Sequence, residues 1–390
     1  MSTDRRQACR GPDGPTPRRT LPLDLLLEFA ARADATTLVR VAATSKSLRR
    51  GILSADFRRR LLAIRAAGRW FDPALLRGVS YMFLDSTGVY DTDVIATHES
   101  SPPRIIDRDL LLDLAPVTSR DGFLVQRSRV IEEGTCGHMC VCDTLTGHVI
   151  HLPPVSLKPG KTWHTPALLT VGAGRSFELL VANHDMEFQT FSSEAGQWSE
   201  VRAISDPQPL CIGHRAHPAV LGRTVHWFCF GVQWVSHVIT LDVDATRSTM
   251  QLLPLRDMVG DFRGKEYLLA AVGGHLSLIV VESLEVSIFM LTMASASASA
   301  LAWSRQLVIR TPEIERWAGM DVDSISAFLP LGGFGERSGT LVMQLKNGDL
   351  VRLELGTKEV TTLRQGLVRI GEVSLHEIDL PSLLEAMKSF

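Results

Sequence analysis

Four stretches repeat one pattern of strand, short polar turn and second strand: Cys140–Pro154 (CVCDTLTGHVIHLPP), Glu187–Val201 (EFQTFSSEAGQWSEV), Val238–Leu255 (VITLDVDATRSTMQLLPL) and Asp349–Arg364 (DLVRLELGTKEVTTLR). Their starts are 47, 51 and 111 residues apart, the last spacing being close to two periods, with LAWSRQLVIR (Leu301–Arg310) closing the unit between. A supersecondary unit of roughly 40–50 residues cannot bury both of its faces alone, so it must stack on copies of itself, and four-stranded units stacked radially make a propeller. Dividing the chain beyond residue 69 by this period predicts about six blades, with five or seven as the neighbouring solutions.

The texture between the repeats agrees. Fifteen runs rich in Val, Ile, Leu, Phe and Trp, from Gly122–Gln126 to Glu359–Leu363, are bounded by Gly, Pro, Asp and Ser about every ten residues, which is the punctuation of an all-β domain. Gly273-Gly274 and Lys346-Asn347-Gly348-Asp349 read as hairpin turns. The Ala/Ser alternation of Ala294–Ala300 and the glycine-rich Gly332–Thr340 read as loops, the second between blades.

Ahead of the strands, Leu21–Leu62 reads as four short helices. Pro22 stands at the first turn of the first, Asp34 is placed to cap the second, Thr44 or Ser45 the third and Ser54 the fourth. Four such helices bury little by themselves and need a surface to lean on. Residues 1–20 are rich in Arg, Pro and Gly and read as a disordered leader. Three segments result: a leader (1–20), a helical module (21–68) and a large β domain (69–390).

Charge separates along the same boundary. Residues 1–69 carry 15 Lys+Arg against 6 Asp+Glu, and the remainder 26 against 37. A basic helical front can meet nucleic acid or an acidic protein surface. No apolar run approaches the twenty or so residues of a membrane span, the first ten residues lack the apolar core of a signal peptide, and the six cysteines have no framework spacing. Cytosol or nucleoplasm and reduced thiols are the expectation.

Little in the chain suggests chemistry. Cys136, His138, Cys140 and Cys142 could offer soft metal ligands, but Cys140 and Cys142 share one face of a strand and no second ligand pair follows, so ordinary packing is the expectation and no metal or cofactor is assigned. Gly332–Thr340 lacks the Lys-Ser/Thr ending of a phosphate loop. His226 beside Trp227 reads as a strand residue with a satisfied ring. Trp163, Trp198, Trp234 and Trp303 are candidate partner anchors, with blade core the competing role. The expectation is a non-catalytic protein.

The ordered motifs Leu21-Pro22-Leu23-Asp24-Leu25-Leu26-Leu27-Glu28, Leu38-Val39-Arg40-Val41 and Lys46-Ser47-Leu48-Arg49-Arg50 make Leu21–Phe57 resemble an F-box, with Ser45 and Leu48 standing where the usual pattern has cysteine and tryptophan. The β region, with SRDGFLVQR, VLGRTVHWF, GGHLSLIVV and HEIDLPSLLEAMKSF in that order, resembles the kelch-like F-box-associated β-propeller of grass F-box proteins. The resemblance implies a small all-α F-box module followed by a large all-β propeller, acting as the substrate-recognition subunit of a cullin–RING ubiquitin ligase. It implies docking to a Skp-type adaptor, and through it a cullin, by Leu21, Pro22, Leu25, Leu26, Leu38, Val41, Leu48 and Ile52, with an unnamed client protein on the propeller. Two readings compete: an interaction scaffold whose degenerate F-box joins no ligase, and, less favoured, a nucleic-acid binder using Arg49, Arg50 and Arg58–Arg60.

Overall fold

The computed structural model describes residues 21–67, 71–84, 87–97, 114–129, 137–157, 165–171, 176–183, 185, 187–203, 211–212, 217–230, 236–244, 251–254, 266–282, 285–293, 301–310, 313, 331–345, 347–380 and 384. The leader, Ala294–Ala300, Cys136, Trp163 and Trp234 lie outside them.

Four helices come first: α1 (Leu23–Ala31), α2 (Ala35–Thr44), α3 (Lys46–Ile52) and α4 (Ala55–Ala67). Each start has a local cause. Pro22 is the N-cap of α1, and the Asp34 carboxylate takes the Thr37 N–H at 2.8 Å at the head of α2. Ser45 Oγ takes the Leu48 N–H at 3.1 Å and Ser54 Oγ the Phe57 N–H at 3.2 Å. All three side-chain caps fall where the sequence places them.

The strands form six sheets in a ring. β1 (Leu76–Leu84) and β2 (Tyr90–Ala96) open the first blade. Blade 2 is β3 (Leu114–Arg120), β4 (Phe123–Ser128), β5 (Met139–Asp143) and β6 (Val149–His151). Blade 3 is β7 (Ala167–Val171), β8 (Phe177–Ala182) and β9 (Glu187–Ser192), flanked by the short β10 (Gln197–Trp198) and β11 (Arg202–Ala203). Blade 4 joins β12 (Cys211–Ile212), β13 (Ala219–Leu221), β14 (Thr224–Phe230), β15 (Ser236–Asp242) and β16 (Gln251–Pro254). Blade 5 is β17 (Glu266–Val272), β18 (His275–Val281), β19 (Glu285–Met293) and β20 (Leu301–Arg310), and blade 6 is β21 (Leu331–Phe334), β22 (Thr340–Gln344), β23 (Leu350–Glu354) and β24 (Glu359–Arg364). The chain then returns to blade 1, where β25 (Arg369–Glu377) pairs antiparallel with β1, from Leu76 opposite Glu377 to Leu84 opposite Arg369.

The ring is therefore closed by a composite blade. Its innermost strand comes from the end of the chain, and β25, β3, β7, β13, β17 and β21 neighbour one another around the axis. The blade count is six. The four repeats are the outer hairpins β5–β6, β9–β10, β15–β16 and β23–β24. One expectation is corrected: Gly332–Thr340 is not a loop between blades but part of the inner strand β21 and its turn into β22. Its glycines allow a close approach, because a Cβ at Gly335 would collide with the Glu377 carboxyl and one at Gly339 with Phe71.

Apolar clusters fill the junctions between blades 2 and 3, 3 and 4, 4 and 5, 5 and 6, and 6 and 1. The helical module has its own core, and part of that core belongs to the β domain. Leu38, Ile52, Phe57 and Leu61 pack with Leu75, Ile378, Leu380 and Leu384 in one cluster, with Leu145 at its margin. The surface the small module leans on is thus, on one side, its own chain. Asp72 binds the parts together: its carboxylate takes the Ala35 N–H of α2 at 2.8 Å and the Ala74 N–H at 3.1 Å, and its own N–H donates to the Arg337 carbonyl at 2.9 Å. Asp72→Ala strands the buried Ala35 N–H and is expected to cost about 2 kcal/mol, with helical signal lost ahead of the β signal in thermal unfolding; coincident transitions at the wild-type temperature would contradict this role.

Candidate functional site

Two surfaces stand out, one on the helices and one in the ring. On α1 the exposed side chains Leu25 and Phe29 stand four residues apart and so share one face of the helix, and Leu21 is exposed just ahead of the Pro22 N-cap. Leu21, Leu25 and Phe29 are 56%, 47% and 64% exposed, and Leu23 41%. Exposed large apolar groups gathered together mark an interaction surface far more often than solitary ones do. The other face of α1 packs inward through Ala30, Ala31 and Leu27, and Leu27 reaches α3 where Gly51 has no side chain to obstruct it.

The eight expected docking residues divide. Leu21, Pro22 and Leu25 are exposed, and Leu26 and Val41 are partly so. Leu38 and Ile52 are wholly buried and Leu48 is 9% exposed. Leu38 and Ile52 belong to the module's core cluster and Leu48 is nearly covered, so at these positions the side chains serve internal helix packing, the role that competes with docking. Phe29, which was not among the expected docking residues, is exposed on the same face of α1 as Leu25; its i+4 relation to Leu25 was the available signal. The arginines of the basic front are partly matched, Arg59 by Asp56 and Arg60 by Glu28.

The second surface is a cavity of about 80 Å³ in the central channel, walled by the inner strand of every blade. Thr118, Ser119, Arg120 and Asp121 come from the end of β3, His217, Pro218 and Val220 from β13 and its approach, and Gly333, Phe334, Glu336 and Arg337 from β21 and its turn, while Ala167, Leu168, Leu268 and Leu269 are apolar wall and β25 adds Val373, Ser374, Leu375 and Glu377. The β3–β4 turn is the two-residue pair Asp121-Gly122, with φ of 52° and 85°, a turn that holds the aspartate at the channel.

Charge is concentrated here. Asp121 pairs with Arg337 and lies 3.6 Å from Arg120, whose guanidinium also donates to the Val220 carbonyl at 3.1 Å. Glu377 accepts the Ser338 N–H at 2.6 Å and the Arg337 N–H at 3.1 Å, and burial pushes its carboxyl up despite those donors. Glu336 accepts the Ala271 N–H at 2.6 Å, and burial pushes it up to about 7. His217 is pushed down to about 4 by burial and is neutral at pH 7. None of these residues was expected from sequence. The Asp-Gly pair was the one local cue.

Of the remaining candidates, His226, Cys140, Cys142, Trp198 and Trp303 serve packing, and His138 is exposed and stacked on His151. His226 is buried and bonded to Thr240 Oγ1 at 2.9 Å. Cys140 and Cys142 are buried free thiols on one face of β5, pushed up to about 11 and about 12 by burial. Trp198 packs edge-on against Phe191 and donates to the Pro153 carbonyl at 2.8 Å, and Trp303 lies against the blade 4 and 5 core. Among the described residues no three His, Cys, Asp or Glu side chains are grouped to hold a metal ion, and no helix is long and apolar enough to cross a membrane.

No curated protein matches the chain in sequence. Among solved structures it is similar to TolB from Acinetobacter baumannii, at 11% identity over 85% of this chain and 73% of that one with a TM-score of 0.43. It is also similar to the Cps50 (Swd1) β-propeller domain of Myceliophteria thermophila, at 13% identity over 65% of this chain and 83% of that one, and to a chain of a mitotic checkpoint complex, at 12% over 67% and 80%, both with TM-scores of 0.33. A family model described as a domain of unknown function, DUF7595, matches residues 78–390, from the third residue of β1 through β25 and beyond, and the chain belongs to that family.

Proposed function

We propose that this protein is the substrate-recognition subunit of a cullin–RING ubiquitin ligase, its helices docking to a Skp-type adaptor and its propeller holding a client protein. The observation that carries the reading is the exposed apolar pair Leu25 and Phe29 on one face of α1, with exposed Leu21 ahead of it, on a helical module already anchored to a six-bladed platform. A patch of this kind, left bare while the rest of the module is packed, suits burial against a partner. The work of such a subunit is proximity: fixing a client lysine near a partner's thioester raises its effective concentration, and the bond-making belongs to the partner.

The test is co-precipitation of the full chain with a Skp-type adaptor. Leu25→Asp with Phe29→Asp is expected to abolish recovery while leaving the circular dichroism spectrum and Tm unchanged, since both side chains are exposed. Recovery equal to wild type, or none from the wild type itself, sinks the ligase reading. The inward placement of Leu38, Leu48 and Ile52 favours a second reading, an interaction scaffold that joins no ligase, because it leaves the patch little beyond one helix; clients without adaptor in that pull-down are its signature.

A further inference from the structure

The geometry points to the channel cavity as a binding site for one alkylammonium or guanidinium group, the head of a lysine or arginine side chain or of a free polyamine, with Glu336 as its carboxylate partner. Two guanidiniums, Arg120 and Arg337, face three carboxylates, Asp121, Glu336 and Glu377, across the cavity. The guanidiniums are committed to Asp121, and Arg120 also to a backbone carbonyl. The Glu377 oxygens are taken by two backbone N–H groups. Glu336 has one backbone donor, from Ala271, and among the described residues forms no ion pair. It is the acceptor with capacity left.

A second observation is independent of charge. Ser374, 3% exposed, is part of the same cavity wall and its hydroxyl has no hydrogen-bond partner among the described residues, a state that is costly for a buried polar group. Leu268, Leu269, Val220 and Phe334 supply apolar wall for an alkyl stem behind the charged head. The size of the cavity suits a head group rather than a whole folded element.

Burial holds Glu336 up to about 7, against Arg120 and Arg337, which lower it, and Glu377, which raises it further; His217 is neutral throughout. Only the ionised carboxylate attracts a cation, so affinity rises with pH from 6 to 8.

The experiment is isothermal titration calorimetry of the full chain at pH 6, 7 and 8 with N-acetyl-arginine amide, N-acetyl-lysine amide, spermidine and, as the neutral isostere, N-acetyl-citrulline amide. Tighter binding of a cationic probe than of the citrulline amide, by about tenfold, and its loss in Glu336→Gln, are expected. Preference for the capped amino acids identifies a side-chain head, and preference for spermidine a free amine. Glutamine keeps the acceptor for Ala271, so the variant is expected to fold; should it not, the wild-type pH series decides. Affinity for the citrulline amide equal to that for the cations, binding by no probe, or affinity flat from pH 6 to 8 overturns the assignment. The inference rests on the propeller alone, so adaptor recovery stands or falls separately.

Discussion

Trp227→Ala will destabilise the protein by about 4 kcal/mol, the cost typical of emptying a large aromatic site in a core that cannot collapse to fill it. Trp227 sits on β14 with no exposed surface, in the cluster shared by blades 3, 4 and 5. Its neighbour Phe228 stacks on Tyr267 of blade 5, with ring centroids 5.1 Å apart. Strand alternation therefore turns Trp227 toward blade 3, where Phe188 and Leu180 lie in the same cluster. Set beside a net stability on the order of 5–15 kcal/mol for a folded domain, this loss is large enough to move the urea midpoint well outside error. Trp227→Phe keeps most of the volume and should cost roughly half as much or less. An alanine variant within about 1 kcal/mol of wild type would mean that the blade junction relaxes around the gap, contrary to the close packing described.

Glu377→Ala is the second large effect, expected at roughly 3 kcal/mol. Its carboxylate holds the Arg337 and Ser338 N–H groups, and its backbone carbonyl takes the Gly122 N–H at 2.7 Å. Blade 6, the closing strand of blade 1 and the first turn of blade 2 thus meet at one residue. Alanine leaves the backbone bond but strands both buried donors beside Arg337. Glu377→Gln keeps an acceptor and should cost much less. The pH dependence separates the two roles. Burial raises the folded-state pKa above the unfolded value, so the folded protein binds the extra proton between the two, and wild-type stability falls as pH rises through that window. The glutamine variant lacks this slope, so its stability relative to wild type should improve with increasing pH in equilibrium urea unfolding. A difference that is constant with pH would show that Glu377 is not held protonated by burial.

Glu377 and Glu336 also show where reading the chain stops. Their positions become meaningful only when β25 returns from the far end of the chain to pair with β1 and lie beside β3 and β21. The same closure decides which strands were legible. The second strands of blades 3, 4 and 6, Phe177–Ala182, Thr224–Phe230 and Thr340–Gln344, carry runs of large apolar residues because both faces meet neighbouring blades, and these three were found from sequence to the residue, whereas β1 and β2 were not anticipated. Of the six inner strands only β17 was anticipated. Three of the others are interrupted by Pro116, by Gly332 and Gly333, or by Gly371, and β13 is as short as Ala219–Leu221, so they carry little strand signal; β7 (Ala167–Val171) has an ordinary strand composition and was passed over.

The sequence by itself determined the local matters: where each helix starts, through Asp34, Ser45 and Ser54; the hairpin turns; the repeat that demands a propeller; and the division into a helical front and a β body. These follow from caps, turn geometry and side-chain alternation, which act over a few residues. Only the tertiary structure decided that the ring closes at six, that the helical module rests on the residues after β25, and that Leu38, Leu48 and Ile52 turn inward while Leu21, Leu25 and Phe29 stay bare. It alone gathered Arg120, Asp121, Glu336, Arg337 and Glu377 around one cavity. An amphipathic helix shows which residues share a face, but not which face its neighbours cover, and charges separated by up to 257 positions meet only because six strands converge on one axis.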